Sequence, residues 1–527
     1  MNVAQLLIDR AIELPDHAAI IESSRWWTRT TTFEQLDRSS ARLAGMLFRM
    51  GIGQGDGVLV LQPISVELYA VMTALFRLGA VAVFLDPSLG RGHIERCCQL
   101  WPPRGLVASS KANLLRLVCP SLNRIPVKVS IGRPAFGAVP YAEHKRVDLL
   151  REVVQVDPSS PALLTFTSGV TGQPRAAVRS HGILLAQHSA LSRIFDFGPQ
   201  DVCMTTLPIV VLSQLAAGAS VVLPDMDLRT PGRFSCDRIL QQLARTRANS
   251  LVGPPAFIDR LTRDRDASMR PLGELKKIFT GGGPVYPELV DQVGRAAPNA
   301  RFTAIYGSTE AEPIAHDTRP DRTAEIGSEA SQHDGLLLGQ PVAEIGLRII
   351  EDRYGSAFGE LSVEEFQRLE QPCGQPGEIV VCGPHVIRGY HHGLGDHEKK
   401  IYVEGDVWHR TGDAGYLDHD GKLWLLGRCS AAARDQRGTL YPLAIETVAR
   451  KLCGNLAVAL LSRAGQRWLV VESPRRESFE HLLDHPKFVH AGIDRIYTIA
   501  KIPLDNRHNS KVDYVALRTL VELSVPE

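Results

Sequence analysis

The chain has almost no net charge, with 59 Lys plus Arg against 58 Asp plus Glu, and charged residues form 22% of its 527. That balance offers no field for nucleic acid or an acidic membrane surface, so the ligand to expect is a small molecule. The nine cysteines (97, 98, 119, 203, 236, 373, 382, 429 and 453) are scattered, odd in number and free of any Cys-x-x-Cys pair. This argues against a disulfide framework and a zinc site and for buried thiols. Long repeats and low-complexity tracts are absent. The opening decapeptide, with acid at Asp9, lacks the basic, apolar and small-residue succession of a signal peptide, so a cytoplasmic protein is expected. A single uncharged stretch, Leu207 to Pro224, reaches the lower length limit of a membrane span. Prolines at both ends, with Ser213, Gln214 and Gly218 inside, predict a buried helix followed by a buried strand instead.

At 527 residues the chain is too long for one core, and two or more domains are expected. Its first half reads as α/β. Thr32 and Gln35 form a capping-box pattern ahead of Phe33, Leu36, Leu43, Leu47 and Met50, with Gly51 at the stop. Val58–Leu61, a helix from Val66 to Leu78, a Gly79 stop and Ala80–Leu85 make a strand–helix–strand unit of a buried parallel sheet. Ser180 caps a helix with Leu184, Leu191 and Phe195 on one face, where His188 is expected as a core or rim residue. Val221–Leu223, Ser250–Val252 and Lys277–Phe279 read as further short strands. From Gly339 the texture changes to Gly/Pro-punctuated strands, a β-rich subdomain. Polar, small residues at Cys429–Asp435 read as a hinge, and helix (Ala444–Leu452), strands (Ala457–Leu461, Trp468–Glu472) and helix (Phe479–Leu483) follow.

Three segments carry chemistry. The first is Thr167-Ser168-Gly169-Val170-Thr171-Gly172-Gln173-Pro174-Arg175, placed after the apolar run Ala162–Phe166. Its glycines let backbone N–H groups turn inward, its hydroxyls add donors and Arg175 adds charge, which together suit a phosphate chain. It is not a Walker A loop, since no Gly-Lys-Ser/Thr follows the second glycine. The second, Thr303–Glu312, is a strand that delivers Tyr306, Thr309 and Glu310 into a Gly307-containing loop, where a carboxylate can meet magnesium or an adenine-like ring. The third is Arg410-Thr411-Gly412-Asp413, whose Asp413 is expected in a loop, able to accept two hydroxyls of a ribose diol. Histidines 316, 409 and 508 lie near these motifs and are expected to be solvated.

In this order the three motifs resemble the adenylate-forming superfamily of acyl-CoA synthetases, peptide-synthetase adenylation domains and luciferases. The resemblance spans the chain. It implies a large N-terminal domain (1–428), a small mobile α+β C-terminal domain (429–527), ATP with Mg2+ and an acyl-adenylate intermediate. It further implies that Thr167, Ser168, Gly169, Thr171, Gly172 and Arg175 hold the β- and γ-phosphates. Tyr306 would stack on adenine, Thr309 would meet the α-phosphate, Glu310 the magnesium and Asp413 the ribose, with Gly307 among the nucleotide-binding residues and Arg428 at the domain boundary. Lys511 resembles the C-terminal lysine that bridges carboxylate and phosphate during adenylation.

Departures from the common pattern are Val170 for a hydroxyl residue, Arg175 for lysine, and Ser430 at the hinge. If Arg175 and Val170 grip pyrophosphate less well, Arg175→Lys and Val170→Thr should lower the KM for ATP. Asp86–Arg91, Leu223–Asp227, Gly307–Pro313 and Asp505–Lys511 resemble the olefin-biosynthesis β-lactone synthetase branch. That branch implies a long-chain 2-alkyl-3-hydroxy fatty acid whose own hydroxyl displaces AMP, with a condensing enzyme, a reductase and a lactone decarboxylase as pathway partners. The other readings are a fatty acyl-CoA or acyl-carrier ligase, and a non-catalytic nucleotide-binding relative.

Overall fold

The computed structural model describes residues 1–24, 26–168, 173–227, 234–263, 272–319, 334–475, 477–504 and 511–524. The strand–helix–strand expectation holds. Strands Gly57–Leu61 and Val81–Phe84, before and after helix Val66–Arg77 in the chain, pair in parallel, and every residue of that helix except Glu67 is buried. They stand inside a seven-stranded sheet in which Val81–Phe84 is followed by Pro161–Ser168 and, antiparallel at the edge, Pro174–Ser180. The capping box forms as the sequence predicts, with the Thr32 side chain accepting from Gln35 N and the Gln35 side chain accepting from Thr32 N. Ser180 likewise caps helix His181–Phe195.

A second, larger sheet has a parallel core, with Ala18–Ser23, Ser220–Leu223, Val202–Thr205, Ser250–Gly253, Lys277–Gly281 and Arg301–Ser308 side by side. After Arg301–Ser308 it turns antiparallel through Ala311–Arg319 and Leu336–Pro341 into strands Leu423–Arg428, Asp406–Leu417, Gly377–Cys382 and Gly346–Ile350. The β-rich texture after Gly339 is this extension. Leu207–Pro224 resolves into helix Pro208–Ala216 and strand Ser220–Leu223, and among the described residues no helix is long and apolar enough to cross a membrane.

Beyond residue 428 a three-stranded sheet (Val458–Arg463, Gln466–Glu472, Arg495–Ile499) packs against helices Pro442–Leu452 and Tyr514–Ser524. The 429–435 segment, read as a hinge, is packed: Cys429 and Ala433 are fully buried, because small side chains let the chain lie against Tyr416 and Trp424 on one side and the C-terminal core on the other. Two expectations need correction. Phe479–Leu483 gives only a 3-10 turn, Glu480–Asp484. Asp413 lies within the long strand Asp406–Leu417, since the alternating Trp408, Arg410 and Tyr416 pair into the sheet on both sides of Gly412.

Candidate active site

Strand Arg301–Ser308 returns as Ala311–Arg319 through a tight turn made of Thr309 and Glu310. Ser308 Oγ accepts from the backbone N–H groups of Glu310 and Ala311, both at 3.2 Å, and fixes the turn. Gly307 is needed there: a Cβ would stand 3.0 Å from the Ala311 carbonyl oxygen and 3.1 Å from Glu312 Cα. Two outside contacts hold the turn from behind, Arg179 Nη2 donating to Thr309 O at 2.7 Å and Ile387 N donating to Glu310 O at 2.9 Å. The Glu310 side chain therefore has a fixed base, and its Oε1 accepts from Tyr390 Oη at 2.8 Å. Burial and the neighbouring Glu310 raise the Tyr390 phenol, so it acts as a neutral donor.

Asp413 stands opposite Arg428 on adjacent strands, and Arg428 Nη1 reaches Asp413 Oδ1 at 3.1 Å and Thr411 O at 3.1 Å. The second carboxylate oxygen, Oδ2, accepts from Tyr306 Oη at 2.7 Å. Tyr306, Asp413 and Arg428 are thus one linked group drawn from three strands. Burial and Asp413 push the Tyr306 phenol well up, so the proton stays on tyrosine and the negative charge on aspartate. A carboxylate has about four lone-pair positions, so Asp413 keeps acceptor capacity for a diol.

The strand that carries Asp413 is anchored by Arg410 and Glu378, which are 3% and 2% exposed. Arg410 donates to Glu378 Oε2 from Nε at 2.9 Å and from Nη2 at 2.6 Å, while Gly412 N donates to Glu378 Oε1 at 3.2 Å. A desolvated ion pair of this geometry satisfies both charges and sets the register of Thr411–Asp413.

The phosphate-type hairpin places Thr167 opposite Arg175. Gly169, Val170, Thr171 and Gly172 lie outside the described residues, as do His508 and the 505–510 stretch of the tail. Arg175 is buried, pairs with Glu398, and has its Cζ 5.9 Å from the Tyr390 ring centre. Tyr390 thus touches both the hairpin and the Glu310 turn. Lys511 is not among the residues these contacts join; it stands between strand Arg495–Ile499 and helix Tyr514–Ser524, one residue before Val512, which bridges to Leu504.

His409 is buried rather than solvated, and burial together with Lys400 and Lys399 holds it neutral, well below its ordinary range. His316 is half-buried and its Nδ1 lies 3.2 Å from Thr318 Oγ1. Sequence reasoning missed Tyr390, Glu378, Glu398, Lys399 and Lys400. Tyr390 falls in the stretch after Gly339 that reads only as Gly/Pro-punctuated strands, and nothing local marks Glu378 or two adjacent lysines as inward-facing. Lys400 is 1% exposed, its Nζ donates to Ile387 O, and burial takes its pKa down to about 8.

Residues 8–391 match the model of the AMP-binding enzyme family. The chain is 29% identical to the olefin beta-lactone synthetase of Stenotrophomonas maltophilia, with 97% of this chain and 96% of that protein covered. It is 27% identical to the indoleacetate–CoA ligase of Aromatoleum aromaticum, over 83% of this chain and 82% of that protein. The structure of the O-succinylbenzoate coenzyme A synthetase of Bacillus subtilis, in complex with ATP and magnesium ion, matches with TM-score 0.74 and 19% identity, covering 97% and 99% of the two chains. The chain belongs to the AMP-binding enzyme family and is an adenylate-forming ligase.

Proposed function

We propose that the protein activates a long-chain 2-alkyl-3-hydroxy fatty acid with ATP and closes it to a β-lactone, releasing pyrophosphate and AMP. The observation that carries the substrate reading is the end-to-end similarity to a protein named olefin beta-lactone synthetase. In the first step a substrate carboxylate oxygen bonds to the α-phosphorus and the bond to pyrophosphate breaks. In the second, the 3-hydroxyl oxygen bonds to the acyl carbon, the bond to AMP breaks and the hydroxyl proton leaves. An acceptor on the same molecule makes that closure effectively unimolecular.

Thr167, Ser168, Gly169, Thr171 and Gly172 hold the β- and γ-phosphates in this reading. Tyr306 and Gly307 meet adenine, Thr309 the α-phosphate and Asp413 the ribose diol, with Arg428 keeping Asp413 in place. Glu310 suits magnesium: it offers a hard oxygen on a rigid turn, and Mg2+ typically takes one or two carboxylates with phosphates and waters for the rest. Among the described residues no cluster of three or more His, Cys, Asp or Glu competes for a metal. Magnesium, when bound, would supply charge neutralisation on the triphosphate as the adenylyl group is transferred. Lys511 contributes a point charge between carboxylate and phosphate, and residues 1–428 and 429–527 work as two units that bring it in.

Purified protein with ATP, magnesium and a 2-alkyl-3-hydroxy acid, without coenzyme A, is expected to yield AMP and lactone in equal amounts. AMP formation that waits for an added thiol would overturn the lactone reading. It would favour the second one, a fatty acyl-CoA ligase, which the similarity to the indoleacetate–CoA ligase supports. Pathway enzymes that make the hydroxy acid and consume the lactone are the partners this reading implies.

A further inference from the structure

Arg175 occupies the place where the phosphate hairpin should present a cation, yet its guanidinium is engaged. It is buried, paired with Glu398 and laid over Tyr390. One residue beyond Glu398 is Lys399, half-buried at the end of the short helix Asp396–Lys399. Its ammonium forms no ion pair within 4 Å among the described residues. Glu378, Asp413, Glu310 and Arg428 all act on it electrostatically. Its Nζ stands 2.8 Å from the point where a Cβ on Gly412 would be, so it lies directly over the backbone between Thr411 and Asp413. Gly412, with φ +74°, is the residue that leaves room for it.

We propose that Lys399 binds the α-phosphate of the nucleotide, supplying the cation that Arg175 does not. The inference rests on the ATP-site reading above. Asp413 and Glu310, the residues assigned to ribose and magnesium, mark the two ends of the α-phosphate's position, and the Lys399 ammonium lies over Gly412, next to Asp413, where both carboxylates attract it. An ammonium is a compact charge with three donors and meets a single phosphate oxygen without the planar matching a guanidinium needs. Burial and the Arg428 guanidinium hold the lysine pKa below its ordinary value, against the opposing pull of Glu378, Asp413 and Glu310. Lys399 directly precedes strand Lys400–Val403, which pairs with the strand that carries Asp413, so it stays with the nucleotide through both steps, whichever way Lys511 is turned.

The test is the binding of adenosine, AMP and ATP–magnesium, measured by calorimetry, to the wild-type protein and to Lys399→Met and Lys399→Arg. Loss of one charge-assisted contact corresponds to a weakening of about 10- to 100-fold. The expected result is that size of loss for AMP and ATP in Lys399→Met, unchanged adenosine affinity, and most of the loss recovered in Lys399→Arg. Equal weakening of adenosine would show a merely structural role and overturn the inference, as would unchanged AMP affinity. Loss of ATP affinity alone would move Lys399 to the outer phosphates and overturn the assignment. A wild-type protein that binds no ATP overturns the nucleotide-site reading itself, an outcome distinct from wild-type binding with an indifferent Lys399→Met.

Discussion

The guanidinium of Arg175 is paired with the carboxylate of Glu398, 223 residues further along the chain, with the Tyr390 ring alongside. The contact ties the phosphate hairpin to the segment that carries Tyr390 and Lys399. Lysine in place of Arg175 keeps the charge but loses the fork and the face that rests on Tyr390. Arg175→Lys and Glu398→Gln are each expected to raise the KM for ATP by about 3- to 10-fold, the reverse of what the hairpin sequence alone implies for Arg175. Because both changes break one contact, the double variant should be no worse than the poorer single, a coupling of about 0.7–1.4 kcal/mol. Additive losses in steady-state kinetics would sink this account.

What was legible in the sequence was whatever depends on neighbours in the chain. The Thr32–Gln35 capping box, the Ser180 cap and the buried strands at 58–61 and 81–84 all formed where local pattern put them. The three motifs were legible as motifs. Their connections were not, because Tyr390 meets Glu310 across 80 residues and Arg410 meets Glu378 across 32, separations over which periodicity says nothing. Asp413 was misplaced in a loop for a related reason. Gly412 reads as a breaker, yet here a glycine inside a strand marks close approach of another group, the Lys399 ammonium. Residues 429–435 read as a hinge without their close packing being visible, because small side chains are ambiguous between exposure and tight packing.

Tyr306 combines a ring and a hydroxyl whose roles can be separated. The hydroxyl donates to Asp413 Oδ2 at 2.7 Å, next to an oxygen already held by Arg428. Tyr306→Phe removes one donor to a charged acceptor and keeps the ring. A loss of about 1–2 kcal/mol of folding stability is expected, with ATP affinity changed less than about 3-fold. Tyr306→Ala also removes the stacking surface and should weaken ATP by a further 1–3 kcal/mol, roughly 5- to 150-fold. Equal ATP affinities in the two variants would place the adenine elsewhere.

Arg410 and Glu378 are buried deeply enough that removing one leaves the other a desolvated charge without its ion-pair partner. Arg410→Met is expected to cost about 3–5 kcal/mol in denaturant unfolding. Adding Glu378→Gln should recover much of that, since the neutral amide needs no counter-charge and its oxygen can still accept from Gly412 N. If the pair only stabilises the strand, ATP affinity follows stability in both variants. The double variant then binds ATP nearly as well as the wild type.

Glu446 gives stability a pH dependence that can be read in isolation. It is 3% exposed on helix Pro442–Leu452, and its Oε1 accepts from Leu460 N at 2.7 Å and from Tyr514 Oη at 2.9 Å. Burial raises its pKa from 4.5 to about 7, against the pull of those donors. The folded protein therefore binds more protons than the unfolded chain between these values, and stability falls as pH rises through that window. Below it both states are protonated and nothing is lost; above it both are ionised and the full loss remains, at most about 3 kcal/mol. Glu446→Gln keeps an oxygen for both donors and has no proton to lose. Compared with wild type, it should unfold at a similar denaturant concentration near pH 4 and at a higher one at pH 8. A difference that does not change between pH 4 and 8 would mean that Glu446 keeps an ordinary carboxylate pKa in the folded protein.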